Sequence, residues 1–151
     1  VCSLMNQASN YLMTGNKPQR QGNLHPNIAP YGELFKTAEG EWVTFAIGSN
    51  RHFDKLCDVL QLQELKKADS FNTNQSRVKN RTKLGEHIEK KVKDFSISSL
   101  LKKCLEQNIP CAQIKSIDTV LKDRLSKKLI RKETIEGIET QRITSIASKW
   151  S

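Results

Sequence analysis

The chain has 151 residues, the size of one domain, with 25 Lys and Arg against 16 Asp and Glu and a formal net charge of +9. Its 36% hydrophobic and 27% charged residues supply a core and exclude a chain disordered by composition, and no apolar run reaches the length of a membrane span. The first residues lack the basic and apolar blocks of a secretory leader, so a soluble, cytoplasmic protein is expected.

Residues 3–13 carry Leu4, Ala8, Tyr11 and Leu12 at helical spacing, and Gly15-Asn16 supplies a stop before Pro18. The apolar face of this helix packs on its own domain or seeks a partner chain. Gly22 to Gly32 is the most constrained stretch. Pro26 and Pro30 fix their own φ and push His25 and Ala29 away from helical geometry, which predicts an extended, shaped loop. From its residues alone the loop is either a rigid connector or a ligand-contacting segment.

Glu33 to Thr37 and Trp42 to Ile47 read as a hairpin turning at Ala38-Glu39-Gly40-Glu41. Gly48-Ser49-Asn50 then caps a helix whose Phe53, Leu56, Cys57 and Leu60 face the sheet, with Arg51 and His52 as first-turn surface residues. Residues 73–93 form two helical pieces meeting at Asn80, which with Arg81 caps the second. Val78, Leu84, Ile88 and Val92 point inward. Arg77 and Arg81 are expected to serve as ion-pair or capping residues rather than ligands. Ser96 caps a helix through Gln107 that buries Leu100, Leu101, Cys104 and Leu105, and Asn108 stops it. Ile109 to Ile114 is a short edge strand, where Pro110 costs no ladder hydrogen bond. A helix opening near Asp118-Thr119 follows, carrying Val120, Leu121 and Leu125, and then strands over 129–135 and 138–146 separated by Glu136-Gly137.

Cys2, Cys57, Cys104 and Cys111 include no C-x-x-C pair, and His25, His52 and His87 are out of metal-ligand spacing with them. Reduced thiols and no metal are expected, with Cys57 and Cys104 as small core residues. The positive charge suits a polyanion. Basic residues are spread along the chain, however, and the 6% of aromatics do not interleave with them, so nucleic acid is not the expected partner and solvated helix faces account for most of the charge.

Several stretches together form a recognisable series: Asn6 to Leu12, His25-Pro26-Asn27-Ile28-Ala29-Pro30-Tyr31, Phe35-Lys36-Thr37 with Gly40, Gly48 and Asn50 before Phe53 and Leu56-Cys57, Phe71 to Asn74, Arg77-Val78, Asn80-Arg81 and Ile109-Pro110-Cys111. Their order resembles the small domain of the class III CoA-transferases, the family of formyl-CoA:oxalate, carnitine and succinate:hydroxymethylglutarate CoA-transferases. The resemblance implies an α+β fold, a small antiparallel sheet covered by helices. It places residues 1–15 in a helix of the interdomain or large-domain region and 16–151 in the small domain, the large catalytic domain being absent. It implies exchange of CoA between carboxylic acids through aspartyl-CoA thioester intermediates, with acyl-CoA as substrate and no permanently bound cofactor.

No stretch matches the surroundings of the family's nucleophilic aspartate, so the chain reads as a fragment or split domain without a catalytic residue of its own, inactive alone. Its expected partners are the missing large domain or a second chain, within a homodimeric parent enzyme. Gly22, His25, Pro26, Asn27 and Tyr31 are the implied substrate-facing loop, with His25 or Asn27 donating hydrogen bonds to a carboxylate or thioester oxygen. Prolines stand where the formyl-CoA branch has glycines, which favours a stiff wall over a swinging flap. Ala112-Gln113 replaces the family's Gly-Pro after the cysteine. The alternatives are a fragment like α-methylacyl-CoA racemase, or a basic nucleic-acid-binding domain.

Overall fold

The structure, a computed structural model, describes residues 6–15, 17, 20 and 22–144. They fall into two compact units, residues 1–113 and 114–151. Helix α1 (Asn6–Thr14) ends where the Gly15 amide donates to Tyr11 O and Gly15 takes a φ of +71°, the stop expected from the sequence. The predicted start at Ser3, like Cys2 and Leu4, lies outside the described residues.

Alternation of apolar and polar residues builds β1 (Tyr31–Lys36) and β2 (Trp42–Ala46), joined by a turn in which Gly40 has a φ of +79°. Phe35, Val43 and Phe45 point to the core, with the Phe35 and Phe45 rings 5.7 Å apart. β3 (Cys111–Gln113) pairs with β2, giving the antiparallel order β1-β2-β3. β3 is an edge, as its proline predicts, and Pro110 still contributes its carbonyl, which accepts from Ala46 N at 3.0 Å.

Helices cover the buried face. In α2 (Asn50–Leu60) Ser49 Oγ accepts from His52 N, and Phe53, Leu56, Cys57 and Leu60 are buried as their spacing predicts. A short α3 (Gln63–Lys67), not expected from the sequence, tucks Leu62 and Leu65 inward. α4 (Asn74–Lys79) and α5 (Arg81–Val92) meet at Asn80. Asn80 does not cap α5 with its side chain. Its Nδ2 instead donates backward, to Ser70 O and Ser76 O. In α6 (Ile97–Glu106), capped by Ser96, Leu100 and Cys104 are buried while Leu105 is 76% exposed, against expectation. Leu100 and Cys104 lie four residues apart and share the inward stripe, and Leu105 lies about 100° further round the helix.

Burial pushes the Cys57 thiol up from 9.0 to about 12. The unfolded chain therefore ionises this thiol from about pH 9 while the folded chain keeps it protonated, so stability falls as pH rises through that window, by about 1.4 kcal/mol per pH unit. Urea denaturation of Cys57→Ala across pH 8.5 to 10.5 is expected to show a flatter decline than the parent. Parallel slopes would show that Cys57 is not the titrating group.

The second unit contains α7 (Ile117–Lys122), a 3-10 turn (Ser126–Leu129), β4 (Ile130–Ile135) and β5 (Ile138–Ile143). α7 opens one residue earlier than predicted. Its hairpin pairs Ile130 with Ile143 and Ile135 with Ile138 around Glu136-Gly137, both at positive φ as a two-residue turn requires. The predicted continuation of β5 through Ile146 passes beyond the described residues. No residue of 114–144 is buried, and Ile117, Leu125 and Ile138 are more than 60% exposed. No described helix is long and apolar enough to cross a membrane.

Candidate functional site

The proline loop closes on itself before anything else holds it. Asn23 Nδ2 donates to Gly32 O at 3.3 Å, and Gly32, at a φ of +86°, leaves only 2.9 Å between an added Cβ and Asn23 O. Gly22, at a φ of +61°, stands at the exposed entrance with open space around it.

Between these ends, side chains from α4, α5 and β1 seize the loop backbone. Asn74 Oδ1 accepts from Ala29 N at 3.3 Å and its Nδ2 donates to Asn27 O at 2.7 Å. Arg77, 1% exposed, donates from Nε to Ala29 O (2.9 Å), from Nη1 to Phe71 O (3.0 Å) and from Nη2 to Asn50 Oδ1 (2.9 Å). Its guanidinium carbon sits 4.4 Å from the centre of the Phe53 ring. Burial lowers the Arg77 pKa, while three acceptors, an aromatic face and the field of the Asp54 carboxylate offset the cost of the buried cation. Arg77 is thus neither an ion-pair nor a capping residue, as the sequence reading had it. It is a clamp on backbone carbonyls.

Arg81 does form an ion pair, its Nε lying 3.4 Å from Glu33 Oε1, with both side chains largely buried. Its Nη2 donates to His25 O and to Ile28 O (2.9 Å), and Glu33 Oε2 accepts from Tyr31 N. Glu33, the carboxylate nearest the loop, is therefore committed to holding it.

With the backbone held in this way, Asn27 and Tyr31 are exposed and His25 is half-buried. His25 Nδ1 accepts from Asn27 N at 3.2 Å, which leaves Nε2 as the ring's N–H donor, with no hydrogen-bond partner among the described residues. The His25 and Tyr31 rings meet edge to face, 5.2 Å between centres. Pro26 and Asn27 line a groove of about 450 Å³ together with residues of α4. The structure thus brings His25 and Tyr31 together, sets Pro26 and Asn27 on an adjoining groove, and leaves Gly22 apart. Asn74, although it ends the Phe71 to Asn74 stretch of the recognised series, and Glu33 were not singled out by sequence reasoning. For Arg77 a signal existed, since it precedes Leu84 and Ile88 by seven and eleven residues, on the inward stripe. Among the described residues no group of His, Cys, Asp and Glu could hold a metal.

Known proteins share the sequence and the fold of this chain. The sequence model of CoA-transferase family III matches residues 1–148. The chain is 33% identical over 120 residues to a succinate–glutarate CoA-transferase of Agrobacterium fabrum, covering 80% of this chain and 30% of that protein. It is 30% identical over 120 residues to the human succinyl-CoA:glutarate CoA-transferase, covering 80% and 27%. The crystal structure of a CAIB/BAIF family protein from Brucella suis superposes with a TM-score of 0.75 at 32% identity, covering 99% of this chain and 38% of that one. The chain thus spans about a third of the length of these proteins.

Proposed function

The chain belongs to CoA-transferase family III, and from that premise we propose that it works as one segment of an enzyme exchanging CoA between carboxylic acids, its loop 25–31 forming the wall over the acyl end of acyl-CoA. The exchange runs through aspartyl-CoA thioester intermediates, with the nucleophilic aspartate on protein outside this chain. That protein is the large domain, or a second chain, of a homodimeric parent. The relatives named for succinate and glutarate point to short dicarboxylic acids as substrates. CoA and its thioesters are substrates here, with no resident cofactor.

The observation that carries the reading is the loop itself, whose backbone is bonded by Asn74, Arg77, Arg81 and Glu33. Such bracing holds the His25 Nε2–H at a fixed position, and a fixed donor stabilises a developing oxyanion without reorganisation. Glu33 does not take the part of the nucleophile in this reading, because its carboxylate is held by Arg81 and by Tyr31 N.

The test has two arms. The isolated chain, given succinyl-CoA and glutarate, is expected to form no glutaryl-CoA by mass spectrometry, and turnover would overturn the placement of the nucleophile elsewhere. Grafted in place of the matching segment of the Agrobacterium enzyme, it is expected to support transfer, with His25→Ala lowering kcat/KM roughly 10- to 100-fold. A folded graft that transfers equally well with and without His25 would remove the loop from the reaction.

A further inference from the structure

The groove between the loop tip and α4 is lined by Pro26, Asn27, Asn74, Gln75, Val78 and Lys79. Asn74 is fully engaged with the loop. The side chains of Asn27, Gln75 and Lys79 have no hydrogen-bond or ion-pair partner among the described residues. Gln75 and Lys79 stand four residues apart, on one face of α4. Asn27 lines the same groove, its backbone held by the bond from its N–H to His25 Nδ1 and by the bond its carbonyl accepts from Asn74.

The one charge on this lining is positive. The Lys79 ammonium donates, the carboxamides of Asn27 and Gln75 each offer donors beside an acceptor oxygen, no carboxylate lines the groove, and Val78 and Pro26 add apolar surface. A ligand that matches is an oxyanion carried on a short hydrocarbon chain. We propose that this groove holds the carboxylate of a small organic acid, with Lys79 as its counter-charge, hydrogen bonds from Asn27 and Gln75, and the carbon chain lying on Val78 and Pro26. The inference rests on the reading of the loop as substrate-facing and adds the residues that would recognise the acid. A phosphate group offers the same oxyanion chemistry, so the test separates the two.

The ¹⁵N-labelled chain is titrated at constant ionic strength with glutarate, with the uncharged glutaramide, with inorganic phosphate and with CoA, and followed by amide NMR. Glutarate is expected to shift the side-chain amides of Asn27 and Gln75 and the backbone of Lys79 saturably, while glutaramide leaves them in place. Lys79→Gln should weaken that response about 5-fold or more, and Lys79→Arg should retain it within about 3-fold, since the charge persists. Lys79 is exposed and unpartnered, so both variants should keep the parent spectrum elsewhere. The proposal is overturned by a response that Lys79→Gln leaves unchanged, by shifts spread evenly over all lysines, or by phosphate or CoA binding more tightly than glutarate. A transfer-competent graft whose KM for glutarate ignores Lys79→Gln also overturns the groove and leaves the CoA-transfer reading intact. Glutarate binding in a chain whose graft transfers nothing does the reverse.

Discussion

Arg77→Met is expected to destabilise the first unit by about 3 to 5 kcal/mol, read as a lower urea midpoint at neutral pH. The substitution strands Ala29 O, Phe71 O and Asn50 Oδ1, each of which now accepts from the guanidinium within 3.0 Å. An acceptor left buried and unpaired costs about 1–3 kcal/mol. An opposing effect comes from releasing a buried cation, and methionine fills much of the apolar volume against Phe53, so the net sits below the sum of three lost bonds. Arg77→Lys keeps the charge but lacks the planar fork that reaches three acceptors in different directions, and an intermediate loss of about 2 kcal/mol is expected. Because two of the acceptors tie the loop and the turn before α4 to one side chain, amide exchange at residues 27–31 should quicken in both variants. A midpoint within 1 kcal/mol of the parent for Arg77→Met would mean that the clamp does not hold the fold.

Gly32→Ala should cost about 2–4 kcal/mol, while Gly22→Ala, in the same loop, should cost only about 1 kcal/mol. Both glycines have left-handed backbones, at φ +86° and +61°, so each alanine meets conformational strain. Only Gly32 adds a collision, since its Cβ would lie 2.9 Å from Asn23 O, a backbone atom that cannot swing aside. The alanine therefore breaks the Asn23–Gly32 closure and shifts Tyr31 away from His25. The paired measurement is urea stability together with the contacts between the His25 and Tyr31 ring protons. Equal costs at the two positions would show that closure of the loop at Gly32 has no energetic consequence.

The sequence made much of this molecule legible. The proline spacing predicted a shaped loop, alternation predicted β1 and β2, and the stripe Phe53, Leu56, Cys57, Leu60 predicted the buried face of α2, all as found. The order of its motifs led to the right family, and the α+β architecture followed. These features are local, written in the period of apolar residues and in the backbone restrictions of proline and glycine.

What tertiary structure alone decided is how that loop is held. A backbone carbonyl carries no sequence signature, so nothing along the chain says that Ala29 O belongs to Arg77, 48 residues away, or that Ile28 O belongs to Arg81. Arg77 reads as an ion-pair or capping residue because, although its spacing from Leu84 and Ile88 puts it on the inward stripe, the acceptors that allow its burial converge only on folding. Asn80 was misread for the same reason, its amide choosing the carbonyls of Ser70 and Ser76 over the helix it precedes. Period and proline determined where the elements and the loop would be. The partners that buried polar groups find across the fold determined which side chains brace the loop and which stay exposed.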